Sequence, residues 1–270
     1  MWSFEMVAAM LAVGAAAGVI AGMFGVGGGT ILVPLVLWIL QMQGAENFQY
    51  AQHIAIGTSF AVMVFTSFAS ARAQYKRQAV DMDVLRAMVP GVLCGVAAGA
   101  LVAQYLPNKG LQVFFTLFIA ILAVRALLGI KPTPERQLLG GGGLFGMGGL
   151  FGLLSSWIGI GGGSLTVPYL TFCNVPVHRA IGTSAALGWP IAAAGTLGYA
   201  WAGWNQEGLP EGSAGFVYLP AVGILAAATL LSAPLGVRLS HKLPADKLKK
   251  GFGILLLLIA LRMAWKILQS

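Results

Sequence analysis

Charge is what this chain has least of. Only 9% of its 270 residues are Asp, Glu, Lys or Arg, whereas 58% are hydrophobic; soluble domains carry about 25% charged residues. So few charged groups cannot coat a globule of this size, and a mean hydropathy of +0.83 makes lipid the natural solvent for most of the surface. Acids are scarcest. The eight of them, Glu5, Glu46, Asp81, Asp83, Glu135, Glu207, Glu211 and Asp246, fall at termini or at the flanks of apolar stretches. Cation transporters use carboxylates embedded in their helices, so a cation substrate is disfavoured. The two cysteines, Cys94 and Cys173, have no CxxC or Cys–His spacing and offer neither a disulfide framework nor a zinc site. There is no Walker motif, no HExxH and no GxSG, so neither ATP coupling nor motif-borne proteolysis is indicated, and no cofactor or metal is expected. The net charge of +8 is spread over loop ends without a basic stripe, which argues against a nucleic-acid partner. No Lys or Arg precedes the first apolar run, so a cleaved signal is not expected.

Glycine, by contrast, is plentiful: the 38 glycines are roughly twice the usual share of about 7%, and membrane helices use glycine for close approach. Some of them recur in order. FGVGGGTILVP at 24–34 matches IGIGGGSLTVP at 158–168 with a shift of 134, pairing Gly28 with Gly162, Thr30 with Ser164 and Pro34 with Pro168. HIAIGTS at 53–59 matches HRAIGTS at 178–184 with a shift of 125. GALVAQYLP at 99–107 matches GVRLSHKLP at 236–244 with a shift of 137, which brings Arg125 onto Arg262. Three ordered blocks mark a duplication: a first transmembrane repeat over 1–130, a cytoplasmic linker over 131–137 and a second repeat over 138–270.

Each half holds the same series of apolar stretches: 4–24, 30–40, 53–70, 84–105 and 111–130, then 138–157, 164–173, 180–201, 216–238 and 249–268. Most approach the ~20 residues that cross a bilayer, but the second of each half is about half that and cannot span as a straight helix. If the positive loop at 71–83 is cytoplasmic, 13 of the 16 Lys and Arg share that side, leaving Lys109, Arg262 and Lys266 outside. Both termini are then extracytoplasmic. The connection between the third and fourth stretches is inside and basic in the first half, but outside and free of Lys and Arg in the second. The halves are therefore inverted. Either three full helices plus a re-entrant pair, or five crossings, satisfies the odd count that inversion needs. The fold class is an all-α polytopic membrane protein of two inverted-topology repeats, with glycine-broken helices meeting near the midplane. Inverted repeats interrupted by glycine at matching positions point to a secondary transporter.

The breaks are Gly27, Gly28 and Gly29, and again Gly161, Gly162 and Gly163. Glycine disfavours helix by about 1 kcal/mol per residue, and unwound backbone at membrane depth is tolerated only against protein or a water-filled cavity. Thr30 and Ser164 follow as N-caps of new short helices, with Pro34 and Pro168 near the first turn. Free N–H groups leading into a helix N-terminus favour an anion; alternatively the glycines only permit close crossing. Two matched copies favour the anion site. The AIGTS motif adds the hydroxyls of Thr58, Ser59, Thr183 and Ser184, which can contact an oxyanion or bond their own backbone. His53 and His178 are a candidate gate or proton relay, or simply polar residues at a helix entry. Arg125 and Arg262 can pair an anion or snorkel to the interface.

GVGGGTILVPLV and IGIGGGSLTVPYL, each followed by AIGTS, resemble the twofold signature of the sulfite exporter family, the TauE/SafE-type permeases. The resemblance covers nearly the whole chain. It implies a bacterial-type inner-membrane permease of about eight segments that moves sulfite or an organosulfonate-type anion, usually outward, with the substrate at Gly27–Thr30 and Gly161–Ser164. The partners so implied are that small anion and the lipid bilayer, with the oligomeric state open. Two readings compete with alternating access: a passive anion channel, and an intramembrane enzyme using His53 or His178 with a Ser or Thr.

Orientation is testable with an impermeant thiol reagent on intact cells. Cysteine placed at Gln206 should label and cysteine placed at Gln74 should not; the opposite pattern would invert the topology.

Overall fold

The computed structural model describes residues 4–24, 28–42, 49–129, 136–240 and 245–269. Glu46, Lys131, Glu135, Lys242 and most of the 131–137 linker lie outside the described residues. Among the described residues ten helices follow in order: α1 (Phe4–Phe24), α2 (Gly29–Met42), α3 (Ala51–Lys76), α4 (Met82–Ala103), α5 (Asn108–Leu127), α6 (Gly141–Ile158), α7 (Gly163–Phe172), α8 (Val177–Ala202), α9 (Leu219–Ser240) and α10 (Ala245–Gln269). Two short strands, β1 (Ser213–Ala214) and β2 (Val217–Tyr218), pair antiparallel just before α9. The protein is a predominantly helical, multi-pass membrane protein, and six of the described helices are long and apolar enough to span a bilayer.

The glycine-preceded helices α2 and α7 are short, at 14 and 10 residues, as the apolar stretches require. At 1.5 Å per residue they reach only about 21 and 15 Å, less than the ~30 Å hydrocarbon core. In contrast, α3 has 26 residues, or about 39 Å. It carries Arg72 and Lys76 past the apolar zone, so the basic segment expected as a loop over 71–83 is helical through Lys76. The small hairpin is a second departure from expectation. The apolar run from 216 predicts a spanning segment that opens there, but Gly212 (φ +83°) and Gly215 (φ +55°) turn the chain first.

The main packing partners cross between the two halves. α1 packs on α9 and α4 on α6; α3 packs on α8 and α5 on α10. Exchanging the halves turns the first contact into the second and maps the other two onto themselves. The correspondence extends to residues. A Cβ at Gly14 of α1 would meet Leu225, and one at Gly148 of α6 would meet Met88; Gly18 faces Thr229, and Gly152 faces Val92. Each pair differs by the repeat shifts of 134 and 137. Without a hydrophobic drive between helices in lipid, such small residues let backbones approach and gain van der Waals contact.

Along the α3–α8 contact, Gly195 and Tyr199 face Phe60, Gly188 faces Ser67, and Gly182 faces Ala79 beyond the end of α3. Residue numbers rise on one helix as they fall on the other, so α3 and α8 run antiparallel. Gly253 near the start of α10 likewise faces Leu127 at the end of α5. Equivalent helices running in opposite directions are consistent with inverted repeats.

Valine at Gly152 or Gly18 would drive a side chain into facing backbone, and each variant should lose about 1–3 kcal/mol. A Cβ at Gly146 would meet no described atom within 4 Å, so Gly146→Ala should gain up to about 1 kcal/mol from helix propensity. Thermal unfolding in detergent would separate the two classes.

Candidate functional site

The first break turns at Gly28, which has φ +81°, a conformation open to glycine. Its carbonyl accepts the amides of Ile31 and Leu32 at 3.0 and 2.9 Å, starting α2. In the second, Gly159 adopts φ +70° to end α6, and the Gly162 carbonyl accepts from Leu165 and Thr166 at 3.3 and 2.8 Å, starting α7. Both helices therefore start one residue earlier than expected, on Gly29 and Gly163. Thr30 and Ser164 lie within the first turn and do not cap, because the residues before the helices are Gly28 and Gly162, which have no side chain to cap with. Pro34 and Pro168 are each the sixth residue of their helix, in the second turn rather than the first. Gly27 lies outside the described residues.

The two breaks meet. A Cβ at Gly29 would lie 2.8 Å from Ile160 Cα and 3.1 Å from Met63 Sδ, with the Gly159 carbonyl closer still. Ser59 Oγ donates to that Gly159 carbonyl at 3.2 Å. Met63 Sδ also borders Gly161, so one side chain of α3 touches both glycine runs. Nothing in a single sequence marks this methionine beyond its place one turn after AIGTS. Gly162 faces Ile191 and Leu187 of α8. Thr30, at 1% exposure, has a hydroxyl with no hydrogen-bond partner among the described residues, and so does buried Ser184; Ser164 is half-buried. Amides at the first helical positions have no intrahelical acceptor, so the start of α2 presents the Gly29 and Thr30 N–H groups beside an unused hydroxyl.

The threonines of the two AIGTS copies have matched jobs. Thr58 Oγ1 accepts the amide of Tyr218 at 3.0 Å, and Thr183 Oγ1 accepts the amide of Asp81 at 2.8 Å. Tyr218 and Asp81 are the residues before α9 and α4, equivalent under the repeat. The preceding glycines follow suit: Gly57 lies against the Phe216 carbonyl and Gly182 against that of Ala79. Each motif thus clamps the entry to a helix of the opposite half. Asp81 also caps α4, its carboxylate accepting from Val84 N–H at 3.2 Å.

The paired histidines and arginines do not come together. His53 is buried, its Nε2–H donates to the Ala103 carbonyl at 2.8 Å, and its ring lies 5.1 Å from that of Phe216; His178 is exposed. A carbonyl can only accept, so Nε2 carries the proton. Phe216, on the hairpin, also packs on Tyr50 and Tyr199. Arg125 is half-buried near the end of α5, whereas Arg262 is exposed near the end of α10. A cavity of about 880 Å³ opens between the second half of α2, the start of α3, the α4–α5 turn and the end of α10. His53 and Arg262 line it; none of the described glycine-run residues does.

Replacing Thr58 or Thr183 by valine would leave the Tyr218 or Asp81 amide without its acceptor. A stranded buried donor costs about 1–3 kcal/mol. Both variants should unfold at lower temperature, Thr58→Val more so because its bond is buried and that of Thr183 is part-buried; no loss in either would remove the clamp.

A family model described as sulfite exporter TauE/SafE matches residues 10–263. A probable membrane transporter protein of Haemophilus influenzae is 33% identical over 97% of this chain and 100% of its own length. A probable membrane transporter protein of Methanocaldococcus jannaschii is 25% identical over 89% of this chain and 88% of its own. One from Bacillus subtilis, YunE, is 26% identical over 65% of this chain and 71% of its own. No solved structure matches the chain. Glycine-broken helices meeting inside a lipid-solvated bundle thus agree with these likenesses: the chain belongs to the sulfite exporter TauE/SafE family and is a membrane transporter.

Proposed function

We propose that the protein is a secondary transporter of a small oxyanion of the sulfite or organosulfonate class, an exporter that alternates access around the meeting point of the two glycine breaks. The observation that carries this reading is Thr30: a fully buried hydroxyl without a described partner, at the start of a helix whose first amides lack acceptors. An unsatisfied buried hydroxyl is costly, and an oxyanion would satisfy it together with the Gly29 and Thr30 amides. The second run, Gly161–Ser164, would contribute the matching half of the site. Ser59 and Ser184 would lie beside it, with Thr58 and Thr183 holding the clamps. The family description supports the sulfur oxyanion, and the absence of acids from the middle of the apolar stretches supports an anion over a cation. Both termini are proposed to be extracytoplasmic, in a bacterial-type inner membrane. Because α1 packs on α9 and α4 on α6, the bodies that rock would each draw helices from both halves.

Thr30→Val separates binding from folding. Removing an unpartnered hydroxyl should leave the melting temperature equal or higher. Losing one charge-assisted hydrogen bond, about 1.5–3 kcal/mol, should weaken sulfite binding by roughly 10- to 150-fold. Titration calorimetry on the detergent-solubilised protein reads both the affinity and its loss; a Thr30→Val protein that binds sulfite with parental affinity would place the site elsewhere.

A further inference from the structure

The 880 Å³ cavity has a charge pattern that the glycine breaks do not need. Lys109, Arg262 and Lys266 all line it, and among the described residues no aspartate or glutamate does. These are the three cations that the charge count separates from the other thirteen. All three are exposed, and none forms an ion pair with a described residue. They converge because α5 and α10 run antiparallel, which sets the first turn of α5 against the last turns of α10. Three like charges around one concavity repel each other, and no described carboxylate lines it to offset them. Low-dielectric walls focus such a field toward the mouth.

The position of the cavity gives the field a direction. Its inner wall includes Pro34, Leu37 and Trp38 of α2. Pro34 is four residues from Thr30, about 6 Å of helical rise. The same helix therefore lines the cationic concavity and begins at the break. The volume far exceeds the ~30 Å³ of one liquid water, so an anion would enter with part of its hydration shell rather than be gripped.

We propose that this cavity is an oxyanion vestibule, in which Lys109, Arg262 and Lys266 collect a small S–O or P–O anion and deliver it to, or receive it from, the start of α2. The link to α2 rests on the anion-transport reading; the collection of anions does not. The anionic group can come from solution or from the headgroup of an acidic lipid.

The test uses the full chain in nanodiscs, with Cys94→Ala to remove an exposed thiol and Gln112→Cys to place a reporter in the cavity wall. Anionic, sulfonate-bearing methanethiosulfonate should react with this cysteine about tenfold or more faster, relative to its cationic trimethylammonium analogue, than the same pair does with a free thiol. Combining Lys109→Gln, Arg262→Gln and Lys266→Gln should abolish the preference, and 1 M salt should do the same, because the screening length is then about 3 Å. Protection by added sodium sulfate in phosphatidylcholine discs would identify solution anions as the occupant. Protection by phosphatidylglycerol, lost in the triple variant, would identify a lipid headgroup. A reagent ratio equal to that of the free thiol, or one unchanged by neutralising the three cations, would overturn the proposal. The labelling involves no transport, so an intact preference beside parental sulfite binding in Thr30→Val would move the site away from the start of α2 and sink the link to it while leaving the vestibule standing.

Discussion

Backbone that leaves its helix at membrane depth is tolerated only against protein or a water-filled cavity, and here its carbonyls find protein donors. The Gly28 carbonyl takes two amides of α2, and the Gly159 carbonyl takes the Ser59 hydroxyl. Gly29 lies directly on Gly159 and Ile160. This contact requires a positive φ at Gly28 and at Gly159 and no side chain at Gly29, so glycine is the residue that meets each demand. The start of a helix in one half is thereby held against the end of a helix in the other, and the remaining helices are arranged around that junction.

The packing that surrounds the junction follows one rule applied twice. The first helix of each half lies on the fourth helix of the other, through glycines placed at equivalent positions. The AIGTS motif repeats the rule at the helix entries, where Gly57 and Thr58 clamp the segment before α9, and Gly182 and Thr183 the segment before α4. None of these contacts is made within a half. A duplicated sequence has therefore become an interlocked structure, in which α1 and α9 find their largest surfaces on helices encoded far away in the chain, as α4 and α6 do on each other across the repeat boundary.

Symmetry of packing does not extend to the surfaces at the two ends. His53 is buried under Phe216 and bonded to Ala103, while its counterpart His178 stands exposed. The second half places a hairpin before α9 where the first has only a short turn before α4. One end carries Lys109, Arg262 and Lys266 around a concavity, and the end where α3 finishes carries Arg72, Lys76 and Arg77 along an exposed helix end and turn. The two ends of the bundle thus differ in shape and in how their cations are placed.

Much of this was legible in the residues. Apolar run lengths foretold the ten described helices and the two short ones among them, because crossing a bilayer fixes a length and glycine runs interrupt it. The duplication was visible in GGGT and GGGS, in the two AIGTS copies and in the LP-ended blocks, because matched backbone demands preserve matched residues. What escaped were features that depend on which surfaces meet. Thr30 and Ser164 looked like caps, yet the helices begin one residue earlier, because the glycine turns carry the helical path back to Gly29 and Gly163. The AIGTS spacing did not carry the amides of the opposite half that Thr58 and Thr183 accept, because only tertiary contact brings them there. Met63 and Phe216 carried no signal at all, since an apolar side chain acquires a particular role only from its neighbours. Composition and spacing determined that this chain lives in lipid as two halves with broken helices; the fold alone decided that Gly29 rests on Gly159, because contacts between residues so far apart depend on the three-dimensional path of every helix between them.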